Sequence, residues 1–135
     1  MFVEPEDLLT VILEEELNEI TREEETIVTQ AINIGISEAR AYLFDDFDVD
    51  DIFSQTGDNR NAMLLNCVID IAVYVLVSRC QAGMDISDRT ERYNRAKSWL
   101  KMVQKTEIYA DLKRKSPTEQ KHITYGSNSK RANYF

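Results

Sequence analysis

The sequence predicts an all-α protein, a compact bundle of about four helices with an extended C-terminal tail. Three observations lead there. Only four glycines and two prolines occur in 135 residues, and the stretches between them are rich in good helix formers. Apolar residues recur three and four apart in four separate stretches, the period of a helix that turns one face to a core. After Leu112 that period stops and a polar, basic segment follows. The chain therefore divides into a helical domain over 1–112 and an arm over 113–135.

Pro5 suits a first helical turn, with Glu6 and Asp7 where the helix dipole favours negative charge. Leu8, Leu9, Ile12, Leu13, Leu17 and Ile20 then follow at helical spacing, so this stretch reads as one short amphipathic helix. Thr21 and Glu24 have the spacing of a capping box. A second helix runs from there to Leu43 or Phe44, its inward stripe being Val28, Ala31, Gly35, Ala39 and Tyr42. Small residues at 31, 35 and 39 let a neighbouring helix come close.

Asp45, Asp46, Asp48, Asp50 and Asp51 dominate a stretch without helical pattern, and 45–58 reads as an acidic connection. The third helix, from about Asn61 to Ala82, is apolar around almost its whole circumference. Such a helix must be covered on several sides. A domain this small is expected to leave part of it bare, which points to Ile69, Val73 and Val77 as contacts for a neighbouring subunit. Gly83 would stop it. Asp88 to Glu91 gives a second capping signal, and the fourth helix runs to about Gln104 with Tyr93, Ala96, Leu100 and Val103 inward.

Apolar residues make 43% of the chain and charged residues 30%, an ordinary globular balance. The opening residues lack the charged start and small-residue cleavage site of a secretory signal. The most apolar window, 63–77, contains Asn66 and Asp70 and is short for a membrane span. Cys67 and Cys80 lie about 20 Å apart along the third helix, beyond disulfide reach. A reduced product made in the cytoplasm is expected.

The net charge of −8 hides an asymmetry. Residues 1–58 hold 17 acidic and two basic side chains, whereas 59–135 hold 14 basic and seven acidic. Opposite ends of opposite sign suit head-to-tail contact between copies. A solvated acidic face explains the first half equally well, and an acidic chain argues against a nucleic-acid reader.

Constellations for catalysis are missing. With Asp46 as the first position, Asp48 and Asp50 fall on calcium-loop spacing, but Asp51 occupies the place of the obligatory glycine and Gly57 that of the bidentate glutamate. His122, the sole histidine, lies in the arm, too little for a zinc site or a nucleophile–histidine pair. No cofactor and no enzymatic activity are expected. The arm combines basic residues with aromatics: His122, Ile123, Thr124 and Tyr125 have β character, and Arg131, Tyr134 and Phe135 follow. An extended peptide of this kind fits a partner's sheet edge or groove better than DNA phosphates.

Two strings carry a resemblance. Asp70-Ile71-Ala72-Val73-Tyr74-Val75-Leu76 in the third helix is followed by Arg92-Tyr93-Asn94-Arg95-Ala96-Lys97-Ser98-Trp99-Leu100 in the fourth, after Pro5-Glu6-Asp7-Leu8 and Ala39-Arg40-Ala41-Tyr42-Leu43. Together, over roughly 4–112, the chain resembles the small helical head–tail adaptor (connector, or head-completion) proteins of tailed phages. The resemblance implies a virion structural protein of the neck. It would form a homo-oligomeric ring, commonly of twelve copies, bound to the portal protein and other neck or tail proteins. DNA would pass through the ring without sequence-specific binding, and no membrane would be involved. On that reading the arm binds portal or neighbour and the aspartates of 45–51 line the channel. The alternative is a soluble regulatory or adaptor protein of a mobile element that binds one partner through its acidic face.

Overall fold

The computed structural model describes residues 1–79 and 85–116. Five α-helices are seen among them: α1 (Glu14–Thr21), α2 (Glu25–Leu43), α3 (Val49–Ser54), α4 (Ala62–Val77) and α5 (Ser87–Gln104). Two 3-10 turns, Pro5–Thr10 and Gly57–Asn59, complete the regular structure. The described residues contain no β-strand, only an isolated antiparallel bridge between Phe47 and Arg114. The fold is all-α.

The centre of the bundle is α4. Helices α2 and α5 pack along it, and the N-terminal 3-10 turn and α1 close over it. Ile69, Val73 and Val77 are 4%, 1% and 3% exposed. Burying each such side chain stabilises by roughly 1.5–3 kcal/mol, and a single chain captures that here. The expectation that these three residues need a neighbouring copy is thus corrected. The physical reason lies at the N-terminus: Phe2, Val3, Leu8 and Ile12 join the core, and they add the cover that a count of helices missed.

The close approach expected of the small residues is seen at Gly35. A Cβ there would lie 3.0 Å from the Val68 carbonyl oxygen and 3.4 Å from the Ala72 nitrogen. Val28, Ala31, Gly35 and Ala39 are buried as the stripe predicts, while Tyr42 is half-buried and Ile32 and Leu43 share the buried face. On the other side of α4, Tyr74 stacks on Tyr93 of α5, with ring centres 4.2 Å apart and planes 3° from parallel.

Five boundaries differ from the sequence reading. The first helix is two pieces. The Leu8 carbonyl accepts from the N–H groups of both Val11 and Ile12 at 3.1 Å, and the chain breaks before α1. Leu8 and Ile12 are thereby buried, whereas Leu9 and Leu13 point to solvent at 43% and 73% exposure. The break frees the Val11 carbonyl, and Arg89 of α5 donates to it at 2.9 Å.

Thr21 is not a cap, because its hydroxyl donates to the Leu17 carbonyl at 2.9 Å inside α1. The chain turns instead through Arg22 and Glu23, both left-handed (φ 53° and 61°). The acidic connection contains α3, which Asp48 caps by accepting the Asp51 N–H at 3.2 Å. Asp50 and Asp51 suit its first turn, and Val49, Ile52 and Phe53 anchor it in the core. Lastly, α5 begins at Ser87, one residue before the expected cap at Asp88; the Asp85 carboxylate accepts the Ser87 N–H at 3.0 Å. Helix α4 ends at Val77, short of the expected Ala82, and Ser78 and Arg79 form a turn in which the Ser78 N–H donates to the Tyr74 carbonyl at 3.0 Å and the Arg79 N–H to the Leu76 carbonyl at 3.1 Å; Cys80, Ala82 and Gly83 lie outside the described residues. Helix α4 starts where expected, and Asn61 caps it, its oxygen accepting the Leu64 N–H at 2.9 Å.

Candidate functional site

The sequence separates an acidic stretch at 45–51 from a basic one at 113–115; the fold puts them together. After α5 a left-handed Thr106 (φ 55°) reverses the chain. Ile108, Ala110 and Leu112 then pack against the core. The Asn61 side-chain amide donates to the Asp111 carbonyl at 3.1 Å and ties this return segment to the start of α4. The basic residues arrive antiparallel to Asp46–Asp48. Asp48 N–H donates to the Lys113 carbonyl at 2.9 Å, and Lys115 N–H donates to the Asp46 carbonyl at 3.0 Å.

Side chains reinforce this pairing. Lys113 Nζ lies 3.7 Å from Asp48 and 3.8 Å from Asp51. The Arg114 guanidinium sits 4.7 Å from the centre of the buried Phe47 ring, and Lys115 Nζ 4.5 Å from that of Phe44. Cation–π contacts of this kind contribute about 0.5–1 kcal/mol each at exposed sites, and exposed ion pairs contribute no more. Two backbone bonds, two ring contacts and two ion pairs together make a clamp. It fixes the chain against the bundle up to Lys115.

Of the aspartates picked out from sequence, Asp48 and Asp51 face Lys113, and Asp50 pairs with Arg40 of α2 at 2.7 Å. Asp46 takes part through its carbonyl, and Asp45 is exposed. The arm residues His122, Ile123, Thr124, Tyr125, Arg131, Tyr134 and Phe135 lie outside the described residues.

Two charged groups escaped the sequence reading. Arg60 holds the N-terminus down: it donates to the Phe2 carbonyl at 2.9 Å, to Asp7 at 2.7 Å and to the Gly57 carbonyl at 2.8 Å. Burial pushes the Asp7 carboxyl up, but the Arg60 hydrogen bond, the Glu4 N–H and the Arg60 charge outweigh it and hold it below the ordinary 3.8.

Asp70 is the second. It sits on the α5 side of α4, 9% exposed, and its Oδ1 has no hydrogen bond among the described residues, the nearest cation being Arg92 at 4.0 Å. Burial raises its pKa, against the pull of Arg92, Arg95 and Arg89. The buried Cys67 thiol one turn away is pushed up to about 12 by burial and by the Asp70 charge, and is an inert core group. A polar residue inside the most apolar stretch was the only signal for Asp70. None existed for Arg60, whose N-terminal partners Asp7 and Phe2 lie 53 and 58 residues away.

Fold and site define a small helical protein whose acidic segment clamps the basic stretch Lys113–Lys115. The family model described as bacteriophage Mu, Gp36 matches residues 2–125, and the chain belongs to that family. It is a phage protein. No curated protein and no solved structure gives a significant match. No described helix is long and apolar enough to cross a membrane.

Proposed function

We propose that this phage protein is a head–tail adaptor: a structural, non-catalytic component of the virion neck that forms a ring beneath the portal and extends the DNA channel. Membership of the bacteriophage Mu Gp36 family supports a phage role, and the resemblance to head-completion proteins supports the neck. The observation that carries the reading is the clamp between Asp46–Asp51 and Lys113–Lys115. A connector must present a contact arm from a fixed point on a stiff body, and this junction provides one. In this role the aspartates anchor the arm, and their charge is partly balanced in place by Lys113 and Arg40.

The test is reconstitution with the cognate portal protein, followed by size-exclusion chromatography with light scattering and by electron microscopy. A ring, alone or on the portal, is the expected result. Deleting 117–135 is expected to abolish attachment to partners while circular dichroism stays helical. A full-length chain that remains monomeric and ignores the portal would overturn the reading in favour of a regulatory protein.

A further inference from the structure

The corner where the N-terminal 3-10 turn, α1 and the start of α2 meet holds a hollow of about 330 Å³. Leu9, Leu17 and Val28 supply its apolar lining, and Glu6, Glu14 and Glu24 stand among five glutamates that also line it. A second hollow, sharing Glu14 and Asn18, adds Glu15 and the 73% exposed Leu13. Among the described residues no basic side chain lines either one. The left-handed pair Arg22–Glu23 brings the glutamates at 23–25 around to join Glu14 at the same hollow. Like charges crowded beside exposed leucines cost free energy until something cationic and apolar covers them.

We propose that this hollow receives the segment 117–135 of a second copy of the chain. The idea rests on the ring reading and deepens it by naming the contact between neighbours. Charge and chemistry select the segment, which carries Lys121, Lys130 and Arg131 against the single acid Glu119, with Ile123, Tyr125, Tyr134 and Phe135 between them. Position suits a neighbouring copy. The hollow lies at the Glu25 end of α2, while the clamp holds the arm's root next to Phe44, just past the other end. Nineteen helical residues separate the two by about 28 Å. A donor at one end and an acceptor at the other is the arrangement of a head-to-tail contact that closes into a ring.

The experiment uses the full-length chain with a photo-reactive benzoyl-phenylalanine at the exposed Asn18. It is mixed with an equal amount of isotopically heavy chain, irradiated under the conditions used for ring assembly, and read by mass spectrometry. Heavy-to-light cross-links between position 18 and 117–135 are expected. The double variant E14K/E24K, checked for an unchanged melting profile, is expected to lose them about ten-fold. An extended arm of this length can also reach its own hollow, so cross-links confined to one isotope would overturn the proposal, as would their absence. Ring formation is followed on the same samples by light scattering. Rings without the cross-link sink this contact but not the adaptor role, whereas the failure of all assembly sinks the role itself.

Discussion

Arg114 lies across from Phe47 in an antiparallel bridge, its guanidinium carbon 4.7 Å from the centre of the ring. The contact closes the acidic stretch onto the basic one. Replacing Arg114 by Glu puts a fourth carboxylate near Asp46, Asp48 and Asp51 and removes the ring contact. The expected loss of about 1–2 kcal/mol opens the clamp locally and leaves the bundle intact. Trypsin should then cut after Lys113 and Lys115 roughly ten-fold faster. Equal cleavage rates would show that the clamp contributes nothing.

The Arg60–Asp7 pair predicts an acid sensitivity. Asp7 titrates below its ordinary 3.8 in the folded chain, so its contribution is present above that value and is lost as pH falls through the lower folded one. Arg60→Ala removes the side-chain donor to the Phe2 carbonyl and leaves Asp7 with the Glu4 N–H, a cost of about 1–3 kcal/mol. Urea denaturation from pH 7 downwards should show a gap between the two proteins at neutral pH that narrows in acid. A constant gap would dissociate the effect from Asp7.

Asp70 works in the opposite sense. Its folded pKa is raised, so the favourable linkage is present below 3.8 and is lost as pH rises through the raised folded value. At neutral pH the buried carboxylate weakens the fold. Asp70→Asn should be more resistant to urea than the natural chain at pH 7, with the advantage fading towards pH 4. A less resistant variant at pH 7 would mean that the Arg92 attraction outweighs burial.

Gly35→Ala tests the α2–α4 contact. Alanine favours the helix by about 1 kcal/mol, but its Cβ meets the Val68 backbone oxygen at 3.0 Å. Overpacking of this kind costs about 1–3 kcal/mol. A net loss, with a melting temperature lower by about 4 °C, is expected, and a larger one for Gly35→Val. An unchanged or higher melting temperature for both would show that α2 can move aside freely.

The sequence by itself determined the fold class, the spans of α2 and α5 to within a few residues, the start of α4 and the small-residue stripe, as well as the phage resemblance. Each of these rests on interactions within one or two helical turns or on the periodic spacing of apolar groups, and both are written along the chain. Tertiary structure alone decided the rest. Whether α4 was covered depended on the N-terminal 3-10 turn, which buries Leu8, and on α1 packing against it. The break before α1 depended on burying Leu8 and Ile12 together and on Arg89 reaching the Val11 carbonyl. The hidden helix in the acidic stretch needed Val49, Ile52 and Phe53 to find the core, and the destination of its charges needed Lys113 to arrive from the far side of α5. These outcomes join residues dozens of positions apart, and local spacing carries no record of where such partners meet.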